Sequence, residues 1–217
     1  MPAELHTFAT REKWLEARKN YIGGSDASAV VGLNPYKDNV ALWLEKTGKT
    51  EPEDISDKPY VKFGTEAEKY MRELFKLDFP EYQVFYEENN MFTNEKYPWG
   101  HYSADGWLKD KNGRFGIWEC KTTEILQSMH KEKWNKRLPD NYYVQLIHAF
   151  LITEAEFVIL KARLKSVVDG MPYIQIKHYP IERSEVEEDI KFLEHSEKEF
   201  WRYVQNGTRP ALKLPGI

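Results

Sequence analysis

The stretch His101-Tyr-Ser-Ala-Asp-Gly-Trp-Leu-Lys-Asp110-Lys-Asn-Gly-Arg-Phe-Gly-Ile-Trp-Glu-Cys-Lys121 decides how the chain is read. Two runs with strand-like alternation flank Asn112-Gly113, the strongest short hairpin signal a sequence offers. The first run would carry Asp105 on a strand, and the second carries Glu119 and Lys121. Side chains alternate faces along a strand, so Glu119 and Lys121 share one face and Cys120 takes the other. Two carboxylates and a lysine on one sheet face are costly as core. They are well suited to holding a hard divalent cation beside a phosphate.

Composition sets the bounds. The chain has 217 residues, 41% hydrophobic and 14% aromatic, enough for one large domain with a substantial core. We expect a single domain over residues 1–217, with its core at about 10–180 and a C-terminal helix at about 182–206. No long apolar run marks a membrane span, and the N-terminus lacks a signal-peptide pattern. A single cysteine excludes an internal disulfide and a cysteine-based zinc site. The expected setting is cytoplasmic, without a membrane partner. The net charge of −4 counts against a nonspecific nucleic-acid binder. Binding depends on local patches, however, and active-site carboxylates lower the total.

Outward from the central stretch, residues 7–20 read as a basic helix with Phe8, Trp14, Leu15 and Ala17 toward a core. Gly23-Gly24 opens a second helix that Ser25 or Asp26 can cap and that ends near Gly32. Residues 38–47 form a short helix stopped by Gly48. Residues 60–77 give the clearest amphipathic helix, with Phe63, Ala67, Tyr70, Met71, Leu74 and Phe75 on its apolar stripe and Glu68 at the stripe's edge. Residues 82–88 and 90–93 read as strands separated by a turn that lead into the hairpin. Residues 124–137 start as helix and become a basic loop, with Lys131, Lys133, Lys136 and Arg137 around Trp134. Residues 139–152 form a helix apolar nearly all round, hence buried. Its Gln145 needs polar partners, and its His148 reads as a satisfied core histidine. Two more strands, 157–163 and 173–179, precede a long acidic helix. One α+β domain with a mixed central sheet fits this order.

Asp105 and Glu119 can supply oxygen ligands to Mg²⁺, with the Cys120 backbone carbonyl between Glu119 and Lys121. Lys121 can hold or activate an attacking water and neutralise charge on a phosphate. Glu68 can serve a second metal or its waters, and Gln145 can orient Lys121 or the water. The order Glu68, Asp105, Glu119-x-Lys121, Gln145 follows the pattern of the D-(D/E)-x-K nuclease superfamily, whose core is the restriction-endonuclease-like fold.

The resemblance narrows on Ile22-Gly-Gly-Ser-Asp-Ala-Ser-Ala-Val-Val-Gly-Leu-Asn-Pro-Tyr36, Leu42-Trp-Leu-Glu-Lys-Thr-Gly48, Phe63-Gly-Thr-Glu-Ala-Glu68, Ser103-Ala-Asp-Gly106, Trp118-Glu-Cys-Lys121 and Tyr143-Val-Gln145. Together these resemble the YqaJ-type viral recombinases, relatives of the phage lambda-type alkaline exonucleases. The likeness covers residues 10–165. It implies a Mg²⁺-dependent 5′→3′ exonuclease, with Mn²⁺ able to substitute, that degrades linear duplex DNA and leaves 3′ overhangs for a single-strand annealing protein. It also implies a ring-shaped homotrimer and a phage or prophage origin in a bacterial host. By the same resemblance Asp105, Glu119 and the Cys120 carbonyl are metal ligands, and Lys121 is the catalytic lysine. Glu68 and Gln145 complete the site, and Arg18 with Ser25 forms a 5′-phosphate pocket. Trp14 and Trp134 are candidate strand-separating wedges. Where family members often read Ser-Pro-Asp-Gly, this chain has Ser103-Ala-Asp-Gly106, which implies a local turn difference. The two competing functions are a structure-selective or sequence-specific endonuclease and a non-catalytic DNA-end-binding scaffold.

Overall fold

A computed structural model describes residues 3–125, 132–135 and 137–214. Two sheets organise these residues. The larger has strand order β2–β5–β6–β7–β8, formed by β2 (Gln83–Phe85), β5 (Gly106–Lys109), β6 (Phe115–Glu124), β7 (Phe157–Val168) and β8 (Met171–Glu182). Its β6–β7 pair is parallel and its other pairs are antiparallel, so the sheet is mixed, as the sequence leads one to expect. The smaller sheet, β1 (Glu4–Thr7), β3 (Asn90–Thr93) and β4 (His101–Tyr102), is antiparallel.

Alternation along the central strands builds two cores. Ile117, Val158, Leu160, Ala162 and Leu164 face α5 (Asp140–Thr153), whose residues from Leu146 to Thr153 are all buried. Trp118, Cys120, Leu108, Phe157 and Ile159 instead meet Met71 and Phe75 of α4 (Pro59–Asp78). The parallel β6–β7 pair needs a crossover, and α5 lies in that connection. Glu119 and Lys121 therefore sit on the α5 face, and the Cys120 side chain on the α4 face.

The hairpin turn forms as read: Gly113 takes φ +83°, and Asp110 Oδ1 accepts from the backbone N–H groups of Asn112 and Arg114 at 2.8 and 2.9 Å. Its first arm, though, is not one strand. His101–Tyr102 belong to the small sheet, and the chain changes sheets across Ser103–Asp105, leaving Asp105 on a bend rather than a strand. The buried Asn90 side chain fixes this switch. Its Oδ1 accepts from Ala104 N–H and its Nδ2 donates to Ala104 C=O, both at 2.8 Å. The 82–88 and 90–93 segments likewise part company, since β2 joins one sheet and β3 the other.

Three further expectations are corrected. Thr7 lies in β1, paired with Asn90, and the helix that follows runs only Arg11–Lys19 (α1), where Thr10 caps it by accepting from Lys13 N–H. α1 buries no residue, and Leu15 is exposed. On α4 the apolar stripe does not all face inward. Phe63, Tyr70 and Leu74 are exposed, whereas Arg72 is buried. The helix after Gly23 is α2 (Gly24–Val30), with Gly23 at its N-cap, and Asp26 Oδ2 accepts from Gly23 N–H at 3.1 Å. Of the basic loop, Lys131 and Lys136 lie outside the described residues.

The acidic C-terminal helix α6 (Glu187–Gln205) packs on its own core. Its Phe200 joins Ile22, Leu42 and Trp43, the last two on α3 (Asn39–Lys46). The tail beyond it returns to α3, where Asn39 donates to Ala211 C=O and accepts from Lys213 N–H, each at 2.8 Å.

Candidate active site

Glu119 is the centre of the site. It is 1% exposed, and both oxygens of its carboxylate are in use. Oε1 accepts from Lys121 Nζ and from Gln145 Nε2, each at 2.6 Å, while Oε2 accepts from the Tyr102 hydroxyl. Three elements converge to do this: β6 supplies Glu119 and Lys121, α5 supplies Gln145 and β4 supplies Tyr102. Gln145 thus meets Glu119, where the sequence reading aimed it at Lys121 or a water. Close approach of α2 completes the packing. A Cβ on Gly24 would lie 3.0 Å from Tyr102 Cε2 and 3.1 Å from Gln145 Cγ.

Asp105 approaches from the bend before β5. Its Oδ2 accepts from Cys120 N–H at 2.8 Å, which ties it beside Glu119. Its backbone carbonyl accepts from Arg72 Nη1 at 2.6 Å, and the same guanidinium nitrogen donates to Glu68 Oε1 at 3.2 Å. Arg72 also sits over the Tyr86 ring, its guanidinium carbon 3.6 Å from the ring centroid. One buried arginine therefore joins the α4 carboxylate to the Asp105 bend.

The charges are crowded. Burial and the neighbouring Glu119 and Glu68 carboxylates push the Asp105 carboxyl well above its ordinary range. Burial also raises Glu68, with Arg72 opposing and Glu119 adding. For Lys121, burial works against the charge, yet Glu119 and Asp105 more than offset it and hold the ammonium protonated. Burial and the Glu119 contact push the Tyr102 phenol up, so it remains a donor.

Among the described residues, no three His, Cys, Asp or Glu side chains converge tightly enough to hold an ion by themselves. The donor set nonetheless suits a hard cation. Asp105, Glu119 and Glu68 offer carboxylate oxygens whose mutual repulsion a divalent ion would relieve, and such ions commonly complete their shells with backbone oxygen and water.

Arg18 and Ser25 lie outside this hydrogen-bonded cluster. Arg18 is in the last turn of α1, with its guanidinium 4.1 Å from the centroid of the Trp14 ring, and Ser25 is exposed in the first turn of α2. The Trp14 indole N–H donates to Asn90 C=O at 2.8 Å and to Ser103 Oγ at 3.2 Å, so the Arg18 platform is anchored to the Asp105 bend. These contacts make Trp14 a fixed support rather than a free wedge. Trp134 is buried in the main core at 3% exposure, and its carbonyl accepts from Lys177 and Tyr179, which removes it as a wedge. His148 is a satisfied core histidine between Glu197 and the His101 carbonyl. Sequence reasoning missed Tyr102 and Arg72. Arg72 left a signal in its four-residue spacing from Glu68; Tyr102 left none beyond its place in the central stretch.

Fold and site together define a mixed-sheet α+β protein with a carboxylate–lysine centre on the central strand of its mixed sheet. Residues 13–156 match the YqaJ-like viral recombinase domain, and the chain belongs to that family. The uncharacterized protein YqaJ of Bacillus subtilis (strain 168) is 30% identical over 218 residues, covering 94% of this chain and 59% of the relative. The chain thus spans 59% of that relative's length. Among solved structures, an alkaline exonuclease (LHK-Exo) from Laribacter hongkongensis superposes with a TM-score of 0.65 at 16% identity, covering 91% of this chain and 94% of that one. The same protein in complex with dAMP gives 0.62 at 16% identity, with the same coverage. A phage related exonuclease from Haemophilus somnus 129PT gives 0.54 at 13% identity, covering 86% and 96%. At these identities the structural likeness is one of fold. Among the described residues, no helix is long and apolar enough to cross a membrane.

Proposed function

We propose that the protein is a Mg²⁺-dependent 5′→3′ exonuclease of linear duplex DNA. The observation that carries this reading is the convergence on Glu119. A buried carboxylate is held by Lys121, Gln145 and Tyr102, with Asp105 and Glu68 crowded beside it. Asp105, Glu119 and the Cys120 carbonyl would hold Mg²⁺, or Mn²⁺ in its place, with Glu68 reached directly or through water. When bound, the ion supplies charge neutralisation at the phosphate and lowers the pKa of water.

The side chains do the rest. Lys121 is held protonated, so it acts as a donor: it orients the attacking water and balances the charge growing on the phosphoryl oxygens. Gln145 and Tyr102 fix the rotamer of Glu119. Water's oxygen forms the new bond to phosphorus as it gives up a proton to solvent, the bond to the 3′ oxygen of the terminal nucleotide breaks, and that oxygen takes up a proton from solvent. This releases a 5′-mononucleotide and leaves a fresh 5′-phosphate on the remaining strand. Arg18 and Ser25 receive that phosphate, so each product end is the next substrate end. The dAMP complex of the Laribacter exonuclease supports a mononucleotide-sized site in this fold. The 3′ overhang passes to a single-strand annealing protein.

The active assembly in this reading is a homotrimer. Support comes from apolar side chains left on the surface of α4, Tyr60, Phe63, Tyr70, Leu74 and Leu77, and of β8, Met171, Tyr173 and Ile174.

The test is digestion of linear duplex with Mg²⁺ by the wild type and by Asp105→Ala and Lys121→Ala. Both variants should lose about 100-fold or more in rate, EDTA should abolish activity, and 5′-phosphorylated ends should be degraded faster than 5′-hydroxyl ends. Full activity in either variant contradicts the site. Cleavage of closed circular duplex would point instead to an endonuclease.

A further inference from the structure

We propose that the loop between α2 and α3 and the first turn of α5 form a nucleic-acid subsite, with Tyr36 stacking on an unpaired base at the DNA end. The proposal rests on the nuclease reading above and adds a specificity residue to it.

Tyr36 is 90% exposed, the most exposed large hydrophobic side chain among the described residues. Its backbone is nonetheless pinned. Asn34 Oδ1 accepts from the N–H groups of Tyr36 and Lys37 at 2.8 and 3.1 Å, and Asn34 Nδ2 donates to Ser25 C=O at 3.4 Å. Lys37 bonds Glu45 of α3 at 2.5 Å. Leu33 N–H donates to Ser28 C=O at 2.8 Å, closing the other side of the loop. An aromatic ring displayed on a loop this well tied loses little entropy on binding, and the loop is joined by hydrogen bond to Ser25.

The loop also meets the first turn of α5, which leads to Lys121. Leu33 and Pro35 line a groove of about 100 Å³ with Asp140 and Asn141 of α5 and with Lys133 and Arg137. The next residue of the helix, Tyr142, has its ring centroid 5.5 Å from Lys121 Nζ. From Lys121 the Tyr142 ring, the start of α5 and the loop that displays Tyr36 thus follow one another, with two cations, Lys133 and Arg137, lining the groove between the last two. Alternating aromatic and cationic groups suit single-stranded nucleic acid, because every base offers a π-face and every linkage a negative charge.

The experiment uses EDTA, so that no hydrolysis occurs, and a 5′-phosphorylated duplex with splayed, unpaired ends carrying 2-aminopurine. Wild type and Tyr36→Phe should bind it alike and quench the 2-aminopurine. Tyr36→Ala should bind about fivefold or more weakly and leave the probe bright, with an unchanged melting temperature. Unchanged affinity and quenching in Tyr36→Ala would overturn the subsite, as would an equal loss in Tyr36→Phe. Because no bond is cleaved in this assay, its outcome is independent of the Lys121→Ala test of hydrolysis.

Discussion

Glu119 accepts from Tyr102, Lys121 and Gln145 at once, so each donor's contribution can be tested separately. Tyr102→Phe removes one hydroxyl and keeps the ring. It should weaken Mg²⁺ affinity or activity about 10- to 100-fold, the usual cost of losing a partner that orients a ligand, and a Mg²⁺ titration of the rate would show it. Arg72→Lys keeps a charge but loses the fork that reaches Asp105 C=O and Glu68 together. It should raise the Mg²⁺ requirement more than it lowers the melting temperature. An unchanged Mg²⁺ titration would show that Arg72 does not position Glu68. The face shared by Glu119 and Lys121 was legible because strand alternation has a period of two. The partner of Gln145 was not, because helix periodicity gives a direction and no distance. Arg72 was hidden for a physical reason: arginine usually seeks water, and the paired Glu68, the Asp105 carbonyl and the Tyr86 ring together make its burial tolerable.

Between α5 and α6 the decisive contact is His148 with Glu197, at 2.7 Å and fully buried. Burial alone would lower the imidazole pKa, but Glu197 and the His101 carbonyl outweigh it and the net shift is upward. A folded-state pKa above the unfolded one stabilises fully below the unfolded value, about 6.5, and this stabilisation is lost as pH rises through the folded value. The melting-temperature gap between wild type and Glu197→Gln should therefore be widest below about pH 6.5 and narrow as pH rises. A gap that widens with pH would contradict the pair's charge state. Helix α6 was legible from its apolar spacing, yet Glu197 lies on the buried face of an acidic helix, where a carboxylate is expected to seek solvent. The sheet switch at Ser103–Asp105 was equally concealed. Alternation continues smoothly through residues 101–109, and only the Asn90 side chain breaks the ladder.

In the molecule as a whole, the mixed sheet and the order of helices follow from the sequence, because hydrophobic runs and turn residues set both. Which apolar side chains stay outside did not follow. The α4 stripe has good helical periodicity, yet Tyr70 is 72% exposed and Leu74 43% exposed. A partner copy is the proposed reason. Sedimentation should show a trimer, and Tyr70→Asp should shift it toward monomer without lowering the melting temperature. A wild-type monomer at working concentration would remove the ring from the account. The central claim, directional hydrolysis at the Glu119 centre, is tested most directly by a time course on linear duplex labelled at either the 5′ or the 3′ end. With Mg²⁺, the 5′ label should leave first as mononucleotide while the 3′ label stays on long single strands. Early loss of the 3′ label, or no release from either end, would contradict it.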